Sequence, residues 1–302
     1  MSGIRIHQIH YRPQQRAELD PAFMPYDNSG DLSPLLELNV FRKIARLPET
    51  GAAACWGAVS WKFGQKTGLT GAALLSVIGA NPGFDVYFCN PHPDTEALYH
   101  NLWVQGETSH PRFLTLAREV FAAAGLDPAA LDEIWPAALF ATTNCFVATP
   151  AFWDDYLRFI DGVLDALGGR LSALGAAMLH SPMADAKGAH ANATYLPFII
   201  ERLFSTFLLA RQGKYRAYKY LTGRSRLERN VHLRHLREMK DHAANTRSDW
   251  LASCWANYRR LYLAQVHGLP WLRKYQPLIT PREPRFLGAL PGIVYPIPEA
   301  AA

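Results

Sequence analysis

The 302-residue sequence lacks the features that identify several common classes of protein. Its four cysteines are far apart and form no Cys-x-x-Cys pair, which excludes a zinc ribbon and a small disulfide scaffold. No apolar run approaches the roughly 18–20 residues that cross a bilayer, and Met1 to His10 contains no apolar signal region. We therefore expect a cytoplasmic protein with free thiols.

Several sequence motifs of enzymes are absent as well. There is no Gly-x-Gly-x-x-Gly, no Walker lysine loop and no Gly-x-Ser-x-Gly, which argues against common dehydrogenases, P-loop proteins and hydrolases. Internal repeats and low-complexity tracts are also missing. The composition, with 49% apolar and 19% charged residues, is that of an ordinary folded protein.

What is present is an alternation of strand and helix patterns. Each helix pattern begins at a capping residue, Ser33 for the first and Thr70 for the second. In chain order, the predicted elements are a strand at 4–9, a helix at 34–45, a strand at 53–61, a helix at 70–78 and a strand at 85–89. Strands that alternate with helices indicate a parallel sheet covered by helices.

The remaining sequence continues this alternation and then departs from it. The predictions are a helix at 111–124, a strand at 139–149, a helix at 151–167 that Thr149 and Pro150 begin, a loop at 181–194 and a helix at 197–209. Beyond Gly223 the sequence is helical, basic and aromatic, and proline is frequent from Pro277 to Pro298. We therefore divide the chain into an α/β domain, residues 1–222, and a helical extension, residues 223–302.

Basic residues are concentrated near the boundary between these two regions. The segment from Arg211 to Lys240 holds ten lysines and arginines but only two glutamates. Such a segment indicates contact with an anionic partner, which could be a nucleotide diphosphate, lipid headgroups or nucleic acid. The alternative is a helix face that is exposed to solvent. Farther along, aromatic and basic residues interleave from Trp250 to Tyr275, a pattern that suits single-stranded nucleic acid, an anionic membrane surface, or packing on the core.

Ligands of open α/β sheets bind beyond the carboxyl ends of the strands. Four segments occupy such positions in the predicted sheet: residues 10–12, 60–63, 90–94 and 142–144. These segments carry the side chains that we consider as candidate binding groups.

The order of the segments resembles a family of bacterial capsule and O-antigen glycosyltransferases of the GT-A class. The resemblance extends over roughly residues 1–220 and is carried by order more than by identity. The similar segments are Ile9-His10-Tyr11-Arg12-Pro13, Leu36-Glu37-Leu38, residues 57–63, Thr143-Asn144-Cys145-Phe146, Phe152-Trp153-Asp154-Asp155-Tyr156 and Ile200-Glu201-Arg202-Leu203-Phe204. Residues 60–62 depart most from the family's pattern.

This resemblance implies a GT-A-like, Rossmann-like fold with a mixed, mostly parallel sheet. It also implies transfer of a sugar from a nucleotide donor, with a UDP-sugar as the first expectation. The acceptor would be a saccharide or a lipid-linked saccharide of the bacterial surface, and the enzyme would be peripheral on the inner membrane. Two alternatives are an α/β protein that binds nucleic acid and a non-catalytic factor in envelope polysaccharide assembly.

A departing nucleotide diphosphate needs positive charge beside it. The chain has no Asp-x-Asp, the usual cation-binding motif of GT-A enzymes, so Asn90, His92 and Asp94 are the candidate ligands for Mn²⁺ or Mg²⁺. Lys62, Lys66 and Arg12 are the alternative partners of the diphosphate.

Glu201 is the candidate base that takes the proton of the acceptor hydroxyl. It lies at the border of the apolar face of its helix, from which Arg202 and Ser205 are expected to point away; a structural ion pair with an arginine is the alternative. His190, in the loop before that helix, is the second catalytic candidate. The remaining candidate donor- or acceptor-binding residues are His10, Tyr11, Trp61, Asn144 and Arg202.

Overall fold

A computed structural model describes residues 3–182, 194–222, 230–279 and 284–296. The strands in these ranges are β1 (Ile4–His10), β2 (Met24–Asp27), β3 (Cys55–Ser60), β4 (Val86–Phe88), β5 (Glu133–Ile134), β6 (Phe146–Ala148), β7 (Ala217–Lys219), β8 (Arg285–Phe286) and β9 (Ile293–Val294). Seven of them form one sheet in the order β2-β1-β3-β6-β4-β7-β9, and β5 pairs with β8 separately.

The large sheet is parallel except for one central strand. β6 runs antiparallel to both of its neighbours, β3 and β4, whereas the β1–β2, β1–β3, β4–β7 and β7–β9 pairs are parallel. The protein is therefore an α/β protein with a mixed, mostly parallel sheet flanked by helices, compatible with a Rossmann-like fold, and the predicted fold class is confirmed at that level.

Thirteen α-helices are found in the described ranges, ten of them before β7 in the chain and three after it. They are α1 (Glu37–Ile44), α2 (Pro48–Gly51), α3 (Phe63–Thr67), α4 (Gly71–Ala80), α5 (Asp94–Leu98), α6 (Leu102–Ser109), α7 (Phe113–Ala124), α8 (Pro150–Leu167), α9 (Ala173–His180), α10 (Leu196–Ala210), α11 (Val231–Thr246), α12 (Asp249–His267) and α13 (Leu269–Ile279). None of these helices is both long enough and apolar enough for a membrane span, a finding that applies to the described ranges only.

Two of the three predicted capping residues begin a helix at the predicted place. The Thr70 hydroxyl accepts a hydrogen bond from the Ala73 amide at 3.1 Å and begins α4. Thr149 caps α8 in the same way, through the Phe152 amide at 3.3 Å. The first helix is the exception, because Ser33 caps only a turn through the Leu35 amide and α1 begins at Glu37.

The strand predicted at 139–149 is wrong over most of its length. Ala137–Leu139 is a 3₁₀ turn, and only Phe146–Ala148 pairs as a strand. Phe140 and Ala141 are buried although they belong to no strand. A run of apolar residues indicates that a segment is buried but does not show that it pairs as a β-strand. The sequence pattern alone could therefore not place the start of β6.

Aromatic packing fixes α8 and α10 on the central strands. The indoles of Trp56 and Trp153 stack with their ring centroids 4.1 Å apart, and Trp153 Nε1 donates to the Trp56 carbonyl at 2.8 Å. Phe146 of β6 stacks on Phe204 of α10 at 4.4 Å. This contact determines where the preceding turn of α10, which carries Glu201, lies relative to the sheet.

The chain after residue 230 packs against the same core. Trp255 Nε1 donates to the Ala97 carbonyl at 2.8 Å, Lys240 Nζ donates to the Tyr99 carbonyl at 3.0 Å, and β9 extends the main sheet beside β7. Lys219, Arg237, Lys240 and Arg259 are buried. For Lys219, Arg237 and Lys240 the interpretation of the basic segment as a solvated face or an anion-binding surface is therefore wrong. The burial of Arg259 agrees with the expectation that the aromatic and basic residues after Trp250 pack on the core. The predicted boundary at residue 223 lies outside the described residues.

Candidate active site

One edge of the main sheet gathers the predicted binding segments. The parallel strands β1, β3 and β4 all end there, followed by Tyr11, Trp61 and Cys89 respectively. Because β6 runs in the opposite direction, the residues before it reach this same edge. The loop 142–144 is therefore correctly placed beside the other segments, although it is not part of a strand.

A cleft of about 980 Å³ opens at this edge. Its walls come from α3, from the turn between β4 and α5, from α6, from the loop before β6 and from the first turns of α10. Six of the predicted site residues line it: Lys62, Lys66, His92, Asp94, Glu201 and Arg202. The cleft therefore collects acidic, basic and imidazole groups from segments far apart in the sequence.

Glu201 has the electrostatic properties of a group that exchanges protons near neutral pH. Its side chain is half-buried and lines the cleft. Burial raises the pKa of Glu201 to about 7, with a further contribution from the negative charge of Glu37, against the opposing effects of Arg202 and Lys66. A carboxyl group with such a pKa is a suitable general base at physiological pH.

Two lysines contribute positive charge to the cleft in addition to Arg202. Burial acts to lower the pKa of Lys66, but the negative charges of Glu37, Cys145 and Glu201 outweigh it and the pKa is raised, so the ammonium remains charged. Lys62 Nζ lies 4.8 Å from the centroid of the Trp61 ring, which holds this ammonium at the cleft wall. Both cations are therefore available to an anionic ligand.

Glu37 is a residue of this site that the sequence interpretation missed. It is the first residue of α1, and its carboxylate accepts a hydrogen bond from Asn144 Nδ2 at 3.0 Å. Glu37 also raises the pKa values of Glu201 and Lys66. Its position in Leu36-Glu37-Leu38 was the available signal, but this segment was used only as part of the resemblance to the glycosyltransferase family.

The backbone before Glu37 is unusual. Leu36 has a φ of 47°, which is positive although the residue is not a glycine. Such conformations are sparsely populated and are retained where the surrounding structure requires them. Here the bend directs the start of α1, and thus Glu37, towards Asn144, whose Oδ1 is buried without a hydrogen-bond partner among the described residues.

Comparison with protein-family models, curated proteins and solved structures finds no match to this chain. The functional interpretation therefore depends on the geometry and charge of the cleft. The described lining of the cleft includes two carboxyl groups, two lysines, one arginine and two imidazoles at the carboxyl edge of a mostly parallel sheet.

Arg202 was predicted to bind donor or acceptor and to point away from the apolar face. That orientation is wrong, because Arg202 is 3% exposed and Ser205 is fully buried. The Arg202 guanidinium donates to the carbonyls of Leu102 and Phe198 and to Gln105 Oε1, at 2.8 to 3.0 Å, and lies 4.6 Å from the Phe113 ring centroid. Arg202 lines the cleft while tying α10 to α6.

The three predicted metal ligands differ in what they can offer. Asn90 Oδ1 accepts hydrogen bonds from Thr142 Oγ1 at 2.8 Å and from the His92 amide at 3.2 Å, so Asn90 orders the turn rather than presenting a free oxygen. His92 and Asp94 line the cleft. Burial, and then the charge of Lys66, lower the pKa of His92, which keeps the imidazole neutral. In the described ranges, no group of three or more His, Cys, Asp or Glu residues could hold a metal ion.

Of the three predicted ligands, His92 and Asp94 remain the candidates for a cation that the oxygens of a diphosphate would also have to hold, as they often do for Mg²⁺. We predict that EDTA abolishes activity and that Mn²⁺ or Mg²⁺ restores it, whereas Asp94→Asn requires more cation for half-maximal activity. The measurement is activity against free cation concentration for both proteins. Full activity in EDTA would contradict the cation site and would leave Lys62 and Lys66, which line the cleft, as the charge partners.

The other predicted site residues either do not line the cleft or lie outside the residues that the structure describes. His10 is buried, with Nδ1 3.9 Å from Asp27 Oδ1, and Arg12 is exposed. Tyr11 is half-buried, and burial followed by the charges of Glu37 and Asp31 raises its pKa. None of His10, Tyr11, Arg12, Trp61 and Asn144 is among the described residues that line the cleft. His190 lies outside the described residues.

The end of the cleft near α6 is aromatic. The rings of His110 and Phe198 lie 4.2 Å apart with an angle of 34° between their planes, and both line the cleft. Gln105 and Ser109 provide polar groups beside them. Phe198 and Glu201 are three residues apart on α10, so they share one face of the helix. An aromatic surface is therefore adjacent to the carboxyl group.

Proposed function

We propose that this protein is a glycosyltransferase with a GT-A-like fold that moves a sugar from a nucleotide donor onto a saccharide or lipid-linked acceptor. The observation that carries the proposal is the pairing, in one cleft, of a carboxyl group with a pKa of about 7 and two lysines. A transfer of this kind needs both a base for the acceptor and cations for the leaving diphosphate.

The basic wall of the cleft would hold the donor. Lys62 and Lys66 can balance the charge that develops on the nucleoside diphosphate as its bond to the sugar breaks. A divalent cation held by His92 and Asp94 would add further positive charge at the same place. The position at the carboxyl edge of the sheet supports this assignment, because ligands of open α/β sheets bind there.

Glu201 would act on the acceptor. Its carboxylate takes the proton of the attacking hydroxyl while the oxygen forms the new glycosidic bond and the sugar–phosphate bond breaks. The proton then passes to solvent and the nucleoside diphosphate leaves. The His110–Phe198 surface supports an acceptor sugar at this end of the cleft, since sugar rings pack their apolar faces on aromatic side chains while Gln105 and Ser109 can bind hydroxyl groups.

Donor binding can be tested by thermal shift against a panel of nucleotide sugars and free nucleoside diphosphates. We expect a UDP-sugar or another nucleoside diphosphate sugar to stabilise the protein, by about 2.7 kcal/mol at 100 times its Kd. The double variant Lys62→Met/Lys66→Met should lose most of the shift. Lys274→Met, which makes the same Lys-to-Met change once on the exposed surface of α13, is the control and should retain it. No shift with any nucleotide would contradict the proposal.

The same panel separates the two alternatives. A nucleic-acid-binding protein would bind single strands with an affinity that falls steeply with salt, and a non-catalytic assembly factor would respond to neither class of ligand. The burial of Arg237, Lys240 and Arg259 disfavours the first alternative. Contact with an anionic membrane is part of the proposal and would have to use exposed residues such as Arg260, Arg273 and Lys274.

A further inference from the structure

A charged pair is buried behind the cleft. Glu96 of α5 and Lys219 of β7 have side chains that are 0% and 1% exposed, and Lys219 Nζ lies 2.6 Å from Glu96 Oε1. Lys219 Nζ also donates to the Ala137 carbonyl at 2.6 Å. The pair is therefore satisfied by hydrogen bonds as well as by charge, which is the condition under which such a pair tolerates burial.

The C-terminal segment reaches the same pair. Tyr295 follows β9, and its hydroxyl donates to Glu96 Oε2 at 3.0 Å. Lys219 Nζ lies 4.4 Å from the centroid of the Tyr295 ring. Tyr295 thus contacts both members of the pair, one through its hydroxyl and the other through its ring.

Asn90 connects this pair to the wall of the cleft. Its Nδ2 donates to Glu96 Oε1 at 2.9 Å, while its Oδ1 accepts from Thr142 Oγ1 at 2.8 Å and from the His92 amide at 3.2 Å. Thr142 and His92 both line the cleft. The side-chain amide of Asn90 therefore connects a buried ion pair to two residues that line the cleft.

We propose that Glu96, Lys219, Tyr295 and Asn90 form a positioning unit that fixes Thr142 and His92 in the cleft, so that the C-terminal segment controls the geometry of the site. Buried ion pairs are often no more stabilising than apolar residues of the same size. Stability alone therefore does not account for the unit, whereas its directional hydrogen bonds do fix two loops. The unit's effect on catalysis rests on the glycosyltransferase proposal.

The test compares Tyr295→Phe with Tyr87→Phe. The second substitution is the matched control because it also removes one tyrosine hydroxyl that donates to an oxygen, the Asn81 carbonyl at 2.6 Å, but on the side chain of a β4 residue outside the unit. In Tyr295→Phe, we expect amide hydrogen exchange to accelerate in peptides covering 90–95 and 139–145, and the control should leave these peptides unchanged. Unchanged exchange in Tyr295→Phe would overturn the positioning unit whether or not the protein transfers sugar.

Steady-state kinetics provides the second readout. We expect kcat to fall about 10- to 100-fold in Tyr295→Phe, as a misplaced group in a site does, with little change in the KM of the nucleotide sugar. Thr142→Val, which removes the hydroxyl that donates to Asn90, should cause a similar fall, and the double variant should be less than additive because both act through Asn90. Full additivity would contradict the unit. Accelerated exchange in a protein without transferase activity would remove only the proposed function.

Discussion

Glu201→Gln is expected to lower turnover by roughly 10²–10⁴-fold, the usual contribution of general-base catalysis. Glutamine preserves the volume and most of the hydrogen bonding of the side chain but cannot accept the proton. The melting temperature should not fall, because burial already disfavours the charged form of Glu201, as its raised pKa of about 7 shows. Turnover and thermal unfolding are measured for the variant and the wild type together.

Glu238→Gln is the matched control for this substitution. Glu238 is an exposed glutamate on α11, so the same chemical change there should leave both turnover and melting temperature unaltered. The competing interpretation makes Glu201 half of an ion pair, and its removal would then cost about 3–5 kcal/mol for a well-buried pair. Glu201 forms none of the ion pairs found within the described ranges. A stable Glu201→Gln protein with near-normal transfer would contradict the assignment of Glu201 as the base and would favour a retaining mechanism.

Lys66→Met should have the second large effect, a fall in turnover of roughly 10²–10³-fold, as expected when one charge-stabilising donor is removed. It should also move the pH profile. The base acts when deprotonated, so activity rises with pH through the pKa of Glu201. Lys66 lowers that pKa, and its removal should therefore shift the acid limb of the profile to higher pH.

Glu37→Gln should shift the acid limb of the pH profile in the opposite direction from Lys66→Met. Glu37 raises the pKa of Glu201, so removing its charge should shift the acid limb to lower pH. Lys274→Met should not move the limb, because that lysine is exposed on α13. If the Lys66 and Glu37 variants shift the limb in the same direction, or if neither shifts it, Glu201 is not the group that controls activity.

The features of the fold that were predicted correctly are those determined locally. Thr70 and Thr149 each satisfy an amide within their own first turn, so neighbouring residues suffice to identify the start of α4 or α8. The direction of β6 is different, because it depends on pairing with β3 and β4, strands that are distant in sequence. The same limitation explains why the strand was predicted to begin too early.

The candidate site also contains some residues that the local sequence identifies and others that depend on long-range contacts. Glu201 could be identified because its place at the edge of an apolar helix face is visible in the sequence and predicts partial burial. The hydrogen bonds of Asn90 and the burial of Arg202 could not be predicted, since they depend on partners such as Thr142 and Leu102 that only tertiary contacts bring near. Glu37 was missed for the same reason, because its partner Asn144 is far away in the chain.

The most direct measurement is the release of nucleoside diphosphate from UDP- and GDP-sugars, with and without saccharide acceptors and with Mn²⁺ present. We predict release by the wild-type protein that increases when an acceptor is added, is lost in Glu201→Gln and persists in Glu238→Gln. The opposite result is the absence of release from every nucleotide sugar by a folded wild-type protein that also shows no thermal shift with any of them. That result would contradict the assignment of this cleft to sugar transfer.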